Sequence, residues 1–306
     1  MIDLIILAGG FGTRLKSISD GIPKALMPIG DSVYLDLLLD KVFEYNIDNV
    51  FLSLHYGSKL FLNYINHSKY KNQLTPVIEP KPLGTGGAIN YVIENSRVSS
   101  PFFVINGDSL STTNLDQMFI EFDNSNYKAM VGISKVENSQ RYGTVVEKDG
   151  EVLSFNEKGV RGTGWINNGH YIFNKEVFEK YGNIFSLEKN LFLKLAKNKK
   201  LGAFKVHNDN FIDIGTPEDY QKTAEIYGNK IKNEINEIVS NVFEIPIDTI
   251  NQSTSPENVE KWDSLGQLAL ISAIEQEFKI TLEINEMFEI MSVGDIYKIL
   301  ERKGVK

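Results

Sequence analysis

The chain has 306 residues, of which 42% are hydrophobic and 24% charged, with a net charge of −8 and no cysteine. This is the composition of a soluble globular protein with room for two domains of roughly 100–200 residues each. It excludes disulfides, thiolate metal sites and a cysteine nucleophile. No apolar run approaches the ~20 residues that span a bilayer. The first ten residues lack the basic flank and cleavage site of a signal peptide. A cytoplasmic setting without a membrane partner is therefore expected. The charge is uneven: from Asn229 onward there are 14 acidic and 8 basic residues, against 26 and 24 before it. An acidic last quarter points to two units with different partners and away from a nucleic-acid surface.

Short apolar segments at 4–7, 50–54, 75–79 and 102–105 read as buried strands. Helical patterns at 34–45, 59–66, 86–94 and 115–122 lie between them. This alternation predicts an α/β fold, a mostly parallel sheet covered by helices on both faces. Further strands are expected at 129–135, 143–148, 152–155 and 164–173. The step through Lys148-Asp149-Gly150 reads as a hairpin turn. A domain of residues 1–228 is followed by a second of residues 229–306. In the latter, helical patterns at 230–243, 265–278, 285–288 and 293–302 predict a small four-helix bundle.

The first strand runs into Ala8-Gly9-Gly10-Phe11-Gly12-Thr13-Arg14. A strand feeding a glycine-rich turn is a phosphate-binding device, because backbone N–H groups approach oxygens with no β-carbon in the way. Arg14 adds a cationic fork suited to phosphate. Ten residues on, Lys24 stands between Pro23 and Pro28, which restrict where it points. The strand at 102–105 ends in Asn106-Gly107-Asp108. A carboxylate just past a strand end is placed to hold Mg²⁺, although an isolated Asn-Gly-Asp is more often an Asx turn. Asp213 occupies a similar position before Gly215-Thr216-Pro217, where Thr216 would cap a helix opened by Pro217. Glu79 could accept from the N1–H and amino group of guanine. Near the C-terminus, Asp263-Ser264-Leu265 stands at the start of an amphipathic helix, where either polar residue could simply cap it.

The segment 7–28 resembles the signature of sugar nucleotidyltransferases, Gly-Gly-x-Gly-Thr-Arg-Leu followed by Pro-Lys and a second proline. The likeness extends over the first 220 or so residues. It is nearest to guanylyltransferases of D-glycero-α-D-manno-heptose 1-phosphate, through Pro82-Leu83-Gly84-Thr85-Gly86-Gly87-Ala88-Ile89, Asn106-Gly107-Asp108, Arg141-Tyr142-Gly143, Glu157-Lys158 and residues 211–220. The resemblance implies a Rossmann-like domain that transfers a nucleoside monophosphate from an NTP, GTP by analogy, to a heptose- or mannose-type sugar 1-phosphate, with release of pyrophosphate. It further implies Asp108 and Asp213 as a Mg²⁺-binding pair, and Arg14 and Lys24 as catalytic cations. Leu7, Ala8, Gly9, Gly10, Gly12, Thr13, Gly107 and Gly143 would contact substrate. Gly84, Thr85 and Gly86 would contact base and ribose, and Glu157, Lys158 and Asn167 the sugar phosphate. The chain departs from the family pattern at Gly159, where proline follows the lysine, and at Asn168, where the family has glycine. A cytidylyl- or uridylyltransferase of another phosphorylated small molecule stays open on those departures, as does an inactive nucleotide-sugar-binding scaffold.

Residues 230–303 resemble acyl carrier proteins, with Ser264 matching the serine that receives 4′-phosphopantetheine. This implies a phosphopantetheinyl transferase and an acyl- or aminoacyl-loading enzyme as partners, and acidic helix faces suited to basic partner enzymes. Self-association is left open.

Overall fold

The computed structural model describes residues 2–10, 12, 15–30, 32–156, 162–207, 209, 211–228 and 230–305. The chain divides into two compact units, Met1–Pro28 with Val33–Thr223, and Ile29–Ser32 with Ala224–Lys306.

The first unit is built on a nine-stranded sheet: β1 (Ile2–Leu7), β2 (Ile47–Leu54), β3 (Leu74–Ile78), β4 (Phe102–Asn106), β5 (Ala129–Val136), β6 (Thr144–Lys148), β7 (Glu151–Asn156), β8 (Gly164–Phe173) and β9 (Leu201–Val206). The spatial order is β3-β2-β1-β4-β8-β5-β9-β7-β6. The first four strands in sequence run parallel. They are joined by helices α1 (Tyr34–Val42), α2 (Ser58–His67) and α3 (Gly84–Asn95), as crossovers between parallel strands require. In α1 the buried residues Leu35, Leu38, Leu39 and Val42 recur at the helical period.

The sheet is mixed rather than mostly parallel. β8 runs antiparallel to both β4 and β5, and β7 runs antiparallel to β6 and β9, while β5 and β9 are parallel. Apolar runs mark burial but not direction, and from β6 onward the connections include hairpins rather than only helical crossovers. The β6–β7 turn has Asp149 at φ 52° and Gly150 at φ 80°, the left-handed pair of a tight hairpin. Ile5, Val104, Tyr171 and Phe173 lie in one core under the sheet, with Phe178 and Phe192. In β8 the register slips between Asn167 and Tyr171, with Gly169 at φ 82°. This bulge re-aims the side chains of Asn167 and Asn168.

The second unit holds α-helices Lys230–Phe243, Ser264–Phe278, Ile284–Glu289 and Val293–Arg302. Ile235, Val239, Phe243, Trp262, Leu270 and Ile274 form the centre of its core. Trp262 stacks on Phe243 at 4.8 Å between ring centroids. Among the described residues no helix is long and apolar enough to cross a membrane.

Candidate active site

The parallel half of the sheet brings several strand ends to one level. Leu7 pairs with Ser53 on one side and Asn106 on the other, and Leu54 pairs with Ile78. Ligands of open α/β sheets sit beyond such carboxyl ends. Here the turns enclose a cavity of about 380 Å³. Leu7, Ala8, Gly9, Gly10 and Gly12 form one wall, and Asn106, Gly107 and Asp108 another. Lys24, Glu79, Gly84 and Thr85, also expected from sequence, line it as well, whereas Asp213 does not. The loops are tied down by Ala8 N–H donating to Ser53 O at 3.0 Å and Gly107 N–H donating to Leu7 O at 2.9 Å.

Lys24 opens a 3₁₀ turn, Lys24–Leu26, directly after Pro23. Its stem passes against Gly12, which has φ 56° and where a Cβ would lie 3.0 Å from Lys24 Cγ. Glycine there fulfils two demands at once, a left-handed backbone and a clear path for the lysine. Lys24 Nζ then donates to Asp108 Oδ2 at 3.1 Å.

Asp213 reaches this pair from the far end of the unit's chain. The short strand Ile212–Asp213 runs antiparallel to Ser109–Leu110, with Asp213 opposite Ser109. Ile214 N–H donates to Asp108 O at 3.1 Å. Burial, and next the charge of Asp108, push the Asp213 carboxyl up to about 6, against the opposing pull of Lys24. Two neighbouring carboxylates, of which Asp108 alone bonds the Lys24 ammonium, leave excess negative charge and an oxygen-only donor set. That chemistry fits Mg²⁺. Among the described residues no group of three or more His, Asp or Glu side chains could hold a metal. A Mg²⁺ ion here would therefore complete its shell with water and substrate oxygens.

A charged cluster lies near Asp213, where the Asp219 carboxylate raises its carboxyl and the Arg141 guanidinium lowers it. Arg141 donates to both carboxylate oxygens of Asp219, from Nη1 at 3.3 Å and from Nη2. The Thr216 hydroxyl donates to Asp219 Oδ2 at 2.7 Å and accepts from Asp219 N–H at 3.3 Å, capping the helix Pro217–Tyr227 as its sequence predicts. Burial opposes ionisation of Asp219, but the bonds from Arg141 and Thr216 prevail and hold its carboxyl below the usual range. Tyr142 packs edge-on to Phe211 at 5.8 Å.

At the other end of the cavity, Glu79 is buried, and burial pushes its carboxyl up. Ser53 Oγ donates to its Oε1 at 3.0 Å and Leu83 N–H to its Oε2 at 3.2 Å. Each carboxylate oxygen keeps further acceptor capacity.

Not every expected residue is on the cavity wall. Gly86 is turned away: its N–H donates to Phe185 O at 3.0 Å, and a Cβ there would lie 2.2 Å from Phe185 Cε2. This glycine makes room for a packed ring. Asn167 is also off the wall, because the β8 bulge directs its Nδ2 to Tyr171 Oη at 3.0 Å and its Oδ1 to Gly169 N–H at 2.9 Å. Gly143 lies just before β6 and is likewise not on the wall. Thr13, Arg14, Glu157 and Lys158 lie outside the described residues.

The departure at Asn168 has a structural role. Its buried Nδ2 donates to Ser111 Oγ at 3.1 Å, Thr113 Oγ1 at 3.0 Å and Ser134 Oγ at 2.9 Å. Asp209 joins this network through Ser111, Thr112 and Ser134. His170, beside it, is buried, which lowers its imidazole to about 4 and keeps it neutral. It lines a small cavity with Lys41, Tyr45 and Ser111. Sequence reasoning missed Ser53, His55 and Asn106 on the cavity wall, and Phe185 against the first turn of α3. Ser53 and His55 stand at the end of the 50–54 strand, so the same strand-end rule that found Asp108 applies to them.

In the helical unit Asp263 caps the helix Ser264–Phe278, its Oδ1 accepting from Leu265 N–H and Gly266 N–H at 2.9 Å each. Ser264 is exposed at the first position of that helix.

Site and topology together define a nucleotide-handling α/β domain, and the chain belongs to the nucleotidyl transferase family, whose profile matches residues 4–230. A phosphopantetheine attachment site profile matches residues 233–300. The chain is 34% identical over 223 residues to D-glycero-alpha-D-manno-heptose 1-phosphate guanylyltransferase of Aneurinibacillus thermoaerophilus, covering 72% of this chain and 96% of that one. The enzyme of the same name from Campylobacter jejuni is 34% identical over 219 residues, covering 71% and 96%. Among solved structures, HddC from Yersinia pseudotuberculosis, also solved with GMP-PN, aligns with TM-score 0.67 and 35% identity over 74% of this chain and 100% of that one. The inositol-1-phosphate CTP transferase from T. maritima shares the fold, with TM-score 0.63 at 20% identity over 76% of this chain and 96% of that one.

Proposed function

We propose that the chain transfers a guanylyl group from GTP to a heptose- or mannose-type sugar 1-phosphate, releasing pyrophosphate and forming a GDP-sugar, and that Ser264 carries 4′-phosphopantetheine. The observation that carries the first part is the Lys24–Asp108 pair, adjoined by Asp213, at a nucleotide-sized cavity beyond the parallel strand ends. The names of the 34%-identical relatives and the GMP-PN complex of the structural neighbour support GTP as donor. We place the domain boundary at 228/229, with a Rossmann-like domain before it and a four-helix carrier bundle after it. The setting is cytoplasmic. An enzyme loading an acyl or aminoacyl group onto the arm is a partner.

In this reading a phosphate oxygen of the sugar 1-phosphate attacks the α-phosphorus of GTP. One P–O bond forms as the bond to the β-phosphate oxygen breaks, and pyrophosphate leaves. No covalent enzyme intermediate is needed, so catalysis is positioning and charge stabilisation. The glycine-rich wall, Leu7 to Gly12 with Thr13, cradles the triphosphate, and Gly107 adds a close backbone approach. Arg14 and Lys24 neutralise phosphate charge. Gly84 and Thr85 border the base and ribose, and Glu79 accepts from guanine. Glu157 holds sugar hydroxyls and Lys158 the attacking phosphate, with Gly143 and Asn167 in the surrounding shell. Asp108 and Asp213 would hold Mg²⁺, which when bound supplies charge neutralisation at the phosphates.

The test is a panel of four nucleoside triphosphates against heptose and mannose 1-phosphates, scored by pyrophosphate release. GTP should exceed the others by at least about tenfold in kcat/KM, the discrimination that one well-made polar contact supplies. Preference for CTP or UTP would overturn the guanylyl assignment. A mass gain in the full chain co-produced with a phosphopantetheinyl transferase, absent in Ser264→Ala, tests the carrier assignment.

A further inference from the structure

A second cavity, of about 190 Å³, lies in the first unit between the C-terminal end of α1 and the end of β4. Leu38, Val42, Ile105, Leu110 and Leu115 give it apolar walls. Lys41, Glu44, Tyr45, Thr112 and His170 give it polar ones. Liquid water takes about 30 Å³ per molecule, so the space equals about six waters and is too small for a nucleotide.

His170 makes this cavity more than a packing gap. The residue is 4% exposed, and its Nδ1 lies 3.3 Å from Asn168 O. A carbonyl only accepts, so Nδ1 carries the ring proton. In the neutral imidazole Nε2 is then a lone-pair acceptor. Among the described residues Nε2 has no hydrogen-bond partner. Buried polar atoms are as a rule paired, and the space in front of this ring is where a donor can reach it. Tyr45 Oη, by contrast, donates to Thr113 O at 3.4 Å.

The charges around the cavity are of both signs. Burial chiefly lowers the His170 imidazole, and the Lys41 ammonium acts in the same direction. Burial, and next the Glu44 carboxylate, raise the Tyr45 hydroxyl. Both charges are thus felt at groups that line the space. A simple anion suits Lys41 but neither the Nε2 lone pair nor Glu44. A simple cation suits those two but not Lys41. A zwitterion satisfies all three. Its ammonium donates to Nε2 and faces Glu44, and its carboxylate meets Lys41, whose ammonium carries three donors. A short aliphatic side chain then fills the apolar part beside Leu38 and Leu110. The same walls reach the active-site turn. Ile105 and Leu110 bracket the segment that carries Asp108, and Leu110 pairs with Ile212, next to Asp213.

We propose that this cavity is a second ligand site, which takes a small α-amino acid with an aliphatic side chain, and that its occupancy changes the affinity for GTP with Mg²⁺ through the 105–110 segment. The coupling rests on the guanylyltransferase reading above; the site itself does not.

The experiment titrates the full chain by calorimetry with valine, with isovalerate, which lacks the amine, and with isobutylamine, which lacks the carboxylate. Valine should bind at least about tenfold more tightly than either, the loss expected for one charge-assisted contact. Lys41→Met and Glu44→Gln, both outside the buried core, should each weaken valine binding at least about tenfold while the Tm stays the same. With valine saturating, the Kd for GTP with Mg²⁺ should shift at least about fivefold, and Lys41→Met should lose that shift. No valine binding, equal binding of the three probes, or valine binding indifferent to both substitutions overturns the site. An unchanged GTP affinity overturns the coupling alone. A chain that binds valine but not GTP removes the guanylyl reading and the coupling with it, and leaves the site standing.

Discussion

Lys24 Nζ lies 3.1 Å from Asp108 Oδ2, although 84 positions separate the two residues. The pair links the proline-bounded loop to the end of β4, and it sets a cation beside the carboxylate that would share a metal with Asp213. Asp108→Asn keeps the shape and removes the charge. It should lower the rate of pyrophosphate release by about 10²-fold or more, the usual loss for one preorganised electrostatic contact. Lys24→Ala should cost a similar factor. Because the two residues touch, the double variant should lose less than the product of the single losses. Steady-state release from GTP, sugar 1-phosphate and Mg²⁺ decides it, and full activity in Asp108→Asn takes that residue out of the mechanism.

Asp213 gives a prediction about stability. Burial and Asp108 hold its carboxyl at about 6, above its ordinary value of 3.8. A group raised in the folded state contributes stability that is complete below its unfolded pKa and lost as pH rises through its folded pKa. Without metal, this residue therefore weakens the fold between about pH 4 and pH 6. Asp213→Asn should make the metal-free protein more stable at pH 7.5 by about 1–3 kcal/mol, with little change at pH 4. Millimolar Mg²⁺ should raise the Tm of the unsubstituted protein and leave that of Asp213→Asn unmoved. Thermal melts with and without Mg²⁺ at the two pH values check both statements. An asparagine variant less stable at pH 7.5 would contradict them.

These two residues also show what was legible in the sequence. Asp108 was marked by an apolar run that stops at Asn-Gly-Asp, a local pattern that needs no partner to be read. The strand-helix alternation up to β4 was equally local, and the structure follows it. The direction of β8 was not readable, because a buried strand has the same composition in either orientation. Gly86 was read as a substrate contact because glycine announces a close approach without saying to what. The answer, the Phe185 ring, comes from about one hundred residues downstream. The bulge at Asn167–Gly169 was likewise hidden, since slipped register depends on the neighbouring strands β4 and β5.

The Gly86 finding is testable. A Cβ at this position would collide with the Phe185 ring at 2.2 Å, and the surroundings are buried. Gly86→Ala should destabilise the fold by about 1–3 kcal/mol through overpacking, more than the gain expected from putting alanine in a helix. Adding Phe185→Leu should restore part of that loss. If Gly86 instead touched substrate, the single variant would raise KM for the nucleotide at unchanged stability, and the second substitution would rescue nothing. Denaturant unfolding of the three proteins beside their KM values separates the two roles.

His170 governs acid sensitivity by a different route. It is buried beside Asn168, with Nδ1 3.3 Å from Asn168 O, and burial lowers its imidazole from its ordinary 6.5 to about 4. Asn168 and the charge of Asp209 favour the protonated form and Lys41 opposes it, but burial is the largest influence. Between pH 4 and 6.5 the unfolded chain therefore binds a proton that the folded chain does not. Stability from this residue is present above pH 6.5 and is lost as pH falls toward 4. Going from pH 7 to pH 4.5, the fold should lose about 2–3 kcal/mol on this account alone. His170→Gln keeps a polar side chain but cannot titrate. It should start from a lower stability at pH 7 because the buried packing is disturbed, yet fall less steeply by about that amount. Urea unfolding of both proteins at the two pH values measures the difference in slope, and parallel losses would show that His170 does not carry the acid sensitivity.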